Sequence, residues 1–181
     1  MRNRVYLLVS FLLGALIVFS YYSFFQPARC GICLNGSVMP VFSPNSDDEI
    51  IGLLRSARST IDVEMYIFTH AALADELIAA KARGVAVRVL LEPRIDTPNP
   101  NLRMMERLRD EGIGARWASL GFSRTHSKMA IVDGKKVLVG SINWGKSALT
   151  TNREAAVIIE DENVAREFED IFEEDWKKAG S

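Results

Sequence analysis

Between His126 and Asn143 the chain reads H-S-K-M-A-I-V-D-G-K-K-V-L-V-G-S-I-N, two apolar runs split by Asp133-Gly134. An Asp-Gly dipeptide between such runs predicts a tight β-hairpin. A hairpin commits this part of the chain to a sheet in one register. Side chains alternate along a strand, so His126 and Lys128 project to one side while Ser127, Met129 and Ile131 project to the other. An imidazole beside an ammonium is a poor structural pair, because both can carry positive charge. Around a bound phosphate the pair makes sense: Lys128 neutralises charge and His126 attacks or shuttles a proton.

The second run delivers Gly140, Ser141 and Asn143 close to the strand end that carries His126. Gly140 lacks a side chain and lets the backbone approach a ligand. Ser141 and Asn143 offer hydroxyl and amide donors, and either is suited to cap a helix expected from about Trp144 to Leu149. A helix start next to a lysine is expected to attract an anion.

Taken together, His126, Lys128, Asp133, Gly140, Ser141 and Asn143 resemble the HKD signature of the phospholipase D superfamily. The resemblance covers about residues 38 to 178, including Ile61-Asp-Val-Glu-Met-Tyr-Ile-Phe-Thr69, which is similar to the strand before the family's first long helix. One motif in a short chain is similar to the compact Nuc-like and Zucchini-like endonucleases rather than to the two-motif phospholipases. The resemblance implies a metal-independent phosphodiesterase in which single-motif chains dimerise to bring two motifs together. It also implies that Glu154 orients the nucleophilic His126, where a carboxylate bonded to Nδ1–H would fix the tautomer. A strand-edge glutamate is the plainer reading of the same residue.

The 181 residues allow one domain and an appendage. Residues 1–4 are a basic flank, and Val5 to Phe25 contains no charge. Such a run spans about 30 Å as a helix, the thickness of a bilayer core. An uncleaved transmembrane anchor is expected in preference to a signal peptide, since the apolar stretch is long and no small-x-small cleavage site precedes Gln26-Pro27. Arg2 and Arg4 outweigh the single nearby Arg29, so the positive-inside rule puts the N-terminus in the cytoplasm and the domain on the far side. A cytosolic domain, as in Zucchini-like proteins, is the competing orientation.

Residues 26–37 read as a juxtamembrane linker. It carries Cys30 and Cys33, the only cysteines of the chain. A C-x-x-C pair in one chain is half a tetrahedral zinc site, so zinc requires a second chain; a local disulfide or two free thiols are the alternatives. No cofactor is required by any other part of the sequence.

From residue 38 to the end one α/β domain is expected. Val38 to Phe42 is a short apolar run in the entry segment, and a helix capped by Ser46 or Asp47 runs to Arg58. Strand Ile61–Phe68, helix Ala71–Arg83 and strand Val85–Leu91 form a βαβ unit with parallel pairing. A helix over 101–111, a short strand over 113–117, the hairpin, a strand over 154–159 and a closing amphipathic helix over 161–178 complete a mixed sheet with helices on both faces. In the closing helix Val164, Phe168, Ile171, Phe172 and Trp176 are expected to face inward.

The net charge of −1 hides an asymmetry. Residues 81–153 hold fourteen Lys/Arg against six Asp/Glu, and residues 154–181 hold three against ten. The basic part carries the motif, which favours a polyanionic substrate. Arg124 is placed at the lip of the site. Trp117, Phe122 and Trp144 are candidates to stack on bases or dip into lipid.

Splitting a phosphodiester without a metal needs a nucleophile on phosphorus and an acid for the departing oxygen. The chain has two histidines, His70 and His126. Two chains are therefore expected to share a site, each supplying His126 and Lys128, with Ser141 and Asn143 binding the non-bridging oxygens. His70, at a strand end, is a weaker candidate for the second histidine. Asp133 is kept among the candidate catalytic residues, although its turn position suggests that it bonds loop amides. Two activities stay open: a membrane-anchored endonuclease on single- or double-stranded DNA or RNA, and a phospholipase D-type hydrolase or transferase on a lipid such as cardiolipin.

Overall fold

The computed structural model describes residues 35–180 and, of the segment before them, only Gly14. The apolar run Val5–Phe25 and the Cys30–Cys33 pair lie outside the described residues. Among the described residues no helix is long and apolar enough to cross a membrane.

Seven strands form one mixed sheet: β1 (Ser37–Phe42), β2 (Thr60–Met65), β3 (Ala86–Leu91), β4 (Gly114–Trp117), β5 (Lys128–Val132), β6 (Lys136–Gly140) and β7 (Ala155–Glu160). Their spatial order is β1-β7-β6-β5-β2-β3-β4. A first helix, α1 (Asp47–Ser56), leads from β1 into β2, and β2, β3 and β4 run parallel, joined by the crossover helices α2 (Ala71–Ala82) and α3 (Leu102–Asp110). The remaining neighbours are antiparallel. The seam between the two regimes is β2 against β5, in the register Met65↔Lys128 and Ile61↔Val132.

Strand alternation divides the core in two. Ile61, Val63, Met65, Ala130 and Val132 face α1, α2 and α3, whose Ile50, Leu54, Leu73, Leu77, Met105 and Leu108 are buried on them. Leu90, Met129, Ile131 and Val137 face the opposite way and are covered by α5 (Glu162–Lys178) through Ala165 and Phe172. Burying one such side chain contributes roughly 1.5–3 kcal/mol, so both layers are needed. Asp161 caps α5 by accepting from the Asn163 and Val164 amides at 2.9 and 3.1 Å.

Several sequence expectations change. The run Val38–Phe42 is part of an edge strand paired with β7 rather than an entry segment, so the sheet starts at Ser37. Ser46 sits at the start of α1 but its side chain makes no capping bond. Ile171 is 55 % exposed, because the buried stripe of α5 follows Val164, Phe168, Phe172 and Trp176 in four-residue steps and leaves 171 beside it. The helix after β6 is a single turn, α4 (Lys146–Thr150), and Trp144 lies before it in the core.

Candidate active site

The hairpin turns where the sequence predicts. Asp133 and Gly134 take φ of 56° and 60°, and the Lys135 amide donates to the Val132 carbonyl at 3.0 Å. Positive φ at both central residues matches the right-handed strand twist, and an Asp-Gly pair tolerates it. This register sets β5 so that His126, just before the strand, meets Lys128 at its first residue.

Lys128 Nζ lies 3.0 Å from His126 Nδ1 and 2.6 Å from the His126 carbonyl oxygen. Lys128 is buried and His126 is exposed. Burial, followed by the charges of Lys128 and Arg124, lowers the His126 pKa below its ordinary value. Burial lowers the Lys128 pKa as well, opposed by the charge of Glu154. An ammonium can only donate, so with Lys128 charged the neutral imidazole carries its proton on Nε2.

Two residues outside the motif that the sequence reading passed over hold this end of the sheet, Glu92 the loop leading to His126 and Asn101 the backbone beside it. Glu92, fully buried after β3, accepts from the Thr125 amide at 2.5 Å and from the Arg94 amide at 2.8 Å. Asn101, also fully buried, accepts from the Phe68 amide at 2.8 Å and donates to the Tyr66 and Glu92 carbonyls at 2.8 and 3.2 Å. The signal available for both was a polar residue beside Pro in a loop following a parallel strand, where α/β sites gather. Tyr66, inside the stretch Ile61–Thr69, was passed over too. Its ring lies 4.3 Å from the His126 ring, centroid to centroid.

Ser141 and Asn143 stand at the same end of the sheet, as expected, but neither caps a helix. Ser141 Oγ donates to Glu154 Oε2 at 2.5 Å, and Asn143 Oδ1 accepts from the Ile67 amide at 3.2 Å. Asn143 lines a cavity of about 620 Å³ with Thr69, Lys146 and Asn152. Glu154 holds Ser141 and Asn152 (3.2 Å) rather than the Nδ1 of His126, which Lys128 occupies in the same chain. The turn following Gly145 is too short for the helix-start anion site anticipated there. Gly140 serves sheet packing instead of ligand approach, since a Cβ there would stand 2.4 Å from the Ala155 carbonyl oxygen.

Trp144 departs from expectation, whereas Asp133 bonds loop amides as its turn position suggests and His70 stands at a helix start. Trp144 is fully buried and edge-packed on Phe68 at 5.0 Å, so it cannot reach a substrate. Asp133 is five residues along β5 from Lys128, about 16 Å at strand rise. Its carboxylate accepts from the Arg58, Ser59 and Thr60 amides and the Ser59 hydroxyl. Burial works to raise its pKa, but those bonds outweigh it and hold the group below its ordinary value. His70 precedes α2 and has its Nδ1 buried without a partner. Arg124 is where the lip was expected, donating to the Tyr66 hydroxyl at 2.8 Å.

Among the described residues no group of three or more His, Cys, Asp or Glu side chains is placed to hold a metal ion. The chemistry on offer is an exposed imidazole with a lowered pKa, an ammonium at its side, a guanidinium nearby, and serine and asparagine donors at the same sheet end.

Residues 50–176 match the family model described as "Cardiolipin synthase, PLD-like domain". The mouse mitochondrial cardiolipin hydrolase is 34% identical over 143 residues, covering 77% of this chain and 63% of that protein. The Chlamydomonas reinhardtii protein of the same name is 28% identical over 134 residues, covering 74% and 59%. The chain thus spans about three fifths of the length of these relatives. Among solved structures, the phospholipase D family member Nuc from Salmonella typhimurium aligns with a TM-score of 0.75 at 31% identity, covering 80% of this chain and 97% of Nuc. NucT from Helicobacter pylori, at 18% identity and a TM-score of 0.68, shares the fold.

Proposed function

The chain belongs to the phospholipase D superfamily, and on that footing we propose that it is a phosphodiesterase, foremost an endonuclease on single-stranded DNA or RNA. The observation that carries this reading is the His126–Lys128 pair, 3.0 Å apart, at one end of the sheet with Arg124 beside it. A phosphate oxygen arriving there draws Lys128 Nζ off Nδ1. The proton of the ring can then move to Nδ1, leaving Nε2 free to attack phosphorus.

Two chains complete the chemistry. His126 of one chain forms the N–P bond while the bond from phosphorus to the leaving oxygen breaks. The second His126, protonated, gives its proton to that oxygen. It then takes a proton from water, whose oxygen displaces the histidine from phosphorus. Lys128, Ser141 and Asn143 hold the non-bridging oxygens as charge builds. No hydrogen bond or ring contact links His70 to His126 among the described residues, so this reading takes the second imidazole from a partner chain. Histidine and lysine supply the nucleophile, proton and positive charge, and the reaction takes no metal cofactor. The fourteen-to-six excess of basic residues over 81–153 supports a polyanionic substrate, and Nuc, at 31% identity, shares the compact fold.

The chain is proposed to sit at a membrane through Val5–Phe25, with the domain extracytoplasmic. Protease accessibility in intact cells tests this, and full protection argues for the cytosolic orientation. A second reading, hydrolysis or transfer on a phospholipid such as cardiolipin, has its own support. The relatives carry the name cardiolipin hydrolase, and Leu120 and Phe122 are exposed on the lip loop.

The test is cleavage of a labelled single-stranded oligonucleotide in excess EDTA by the full chain, with His126→Ala alongside. Cutting that survives EDTA and falls at least about a hundredfold in the variant is expected. No cutting, with hydrolysis of cardiolipin vesicles, transfers the assignment to lipid.

A further inference from the structure

We propose that Tyr66 is the positioning residue of this site, its ring seating His126 and Lys128 and its hydroxyl fixing Arg124 beside them. The inference rests on the reading of His126 as the nucleophile, and it adds a residue that the HKD signature does not contain.

The backbone of Tyr66 is pinned from both sides. Its amide donates to the Ser127 carbonyl at 2.9 Å, and its carbonyl accepts from the buried Asn101 side chain at 2.8 Å. The first bond extends the β2–β5 pairing by one step, so the ring is referenced to the same strand that carries the motif. The His126 ring packs on it at 4.3 Å with a 53° tilt, and Lys128 Nζ lies 4.9 Å from its centroid. Arg124 Nη1 donates to its hydroxyl at 2.8 Å. Three groups that can each be positive are therefore arranged around one phenol.

Left alone, such groups separate, since like charges repel and long side chains have many rotamers to occupy. The negative face of an aromatic ring offsets part of that repulsion for Lys128, and a phenol oxygen gives Arg124 one place to dock. The charges that act on His126 are Lys128 and Arg124, with Glu154 acting on Lys128 in turn. Burial and both cations disfavour the imidazolium, and so favour the neutral ring that attacks. Tyr66 thus holds Arg124 where it acts on His126 before any substrate arrives, and no ordering of that side chain is needed on binding.

The test uses the full chain with isotope-labelled histidine. It has two histidines, so the imidazole signals are separated by comparison with a His70→Gln variant. Tyr66→Phe keeps the ring and removes the hydroxyl. Arg124 is then released, and the midpoint of His126 titration moves upward. Arg124→Ala produces the same upward movement, and the double variant moves no further than either single one, because both changes break one link. In the nuclease assay the acid limb of the pH–rate curve follows the titration, while Tyr66→Leu, which also loses the ring, lowers kcat at every pH. An unchanged His126 midpoint in Tyr66→Phe, with a clear shift in Arg124→Ala, overturns the proposal. So does an additive double variant. The titration needs no turnover, so a chain that cuts neither oligonucleotide nor lipid refutes the proposed function while leaving the role of Tyr66 decided on its own.

Discussion

The ammonium of Lys128 touches His126 twice, at 3.0 Å to the ring Nδ1 and at 2.6 Å to the main-chain carbonyl. One side chain thereby fixes both the backbone and the ring of its neighbour, and it does so on the nitrogen opposite to the one that would attack.

Replacing Lys128 by Met keeps the bulk and removes both bonds. Loss of a nearby positive charge favours the imidazolium, so the His126 midpoint rises. Loss of a donor to the developing charge lowers kcat by about 10²–10³-fold. Titration and single-turnover kinetics on one preparation check both; a drop in kcat with an unmoved His126 midpoint would contradict the geometry.

Glu64 supplies a pH test of the fold. It is 2% exposed on β2, with a hydrogen bond to Ser127, the carboxyl of Asp175 on α5 nearby and one oxygen unpartnered. Burial, resisted by the Ser127 bond and reinforced by Asp175, pushes its pKa up to about 7. A carboxyl raised on folding favours the folded state fully below its unfolded pKa near 4.5, and that contribution is lost as pH rises to about 7. Glu64→Gln is expected to flatten this slope and to be the more stable protein at pH 8, by up to roughly 3 kcal/mol. Thermal midpoints from pH 4.5 to 8 for both chains measure it; parallel curves would rule it out.

Asp133 and Trp144 separate folding from chemistry. Asp133→Asn leaves the amides of residues 58–60 with a weaker acceptor and should cost about 1–3 kcal/mol while kcat of the folded enzyme stays unchanged. Denaturant titration beside the oligonucleotide assay checks both halves.

Trp144→Ala empties a core position and should cost roughly 3–5 kcal/mol. Phe122→Ala, on the exposed lip, should stay within about 0.5 kcal/mol of the parent. The pair needs only unfolding curves. Equal costs would place Trp144 outside the core.

Much of this arrangement is legible in the chain. The alternation in Ile61–Met65 and Met129–Val132, the Asp-Gly turn, and glycines at 84 and 112 with φ of 92° and 70° after α2 and α3 fix the elements. The meeting of His126 with Lys128 follows from the alternation of an extended segment that the strand continues from Lys128. What sequence cannot carry is partner choice at a distance. Nothing local tells that Ser141 bonds Glu154, leaving Nδ1 of His126 to Lys128, or that Asn143 turns its carbonyl to Ile67. Trp144 shows the same limit: its position after Asn143 suggests a ring that stacks on a base or dips into lipid, but its carbonyl accepts from the Thr69 and His70 amides at 2.8 and 2.9 Å, which draws the residue inward. Val38–Phe42 reads as a fragment too short to stand alone, and its strand character comes from β7.

That last pairing has a consequence for biosynthesis. The first strand of the domain lies beside the last, Phe42 opposite Ala155, and Ser43 Oγ receives the Glu154 amide across 111 residues of chain. On a ribosome, which releases the chain from its N-terminus, β1 emerges early and waits, with Val41 uncovered and its backbone unpaired, until almost the whole domain has been made. The segment bearing Glu154 cannot reach its final place before that late closure, because the same bond that seats β1 also seats Glu154. Non-local pairing of this kind slows folding, and a nascent chain of this protein remains incomplete at its prospective catalytic end until nearly the whole domain has been made.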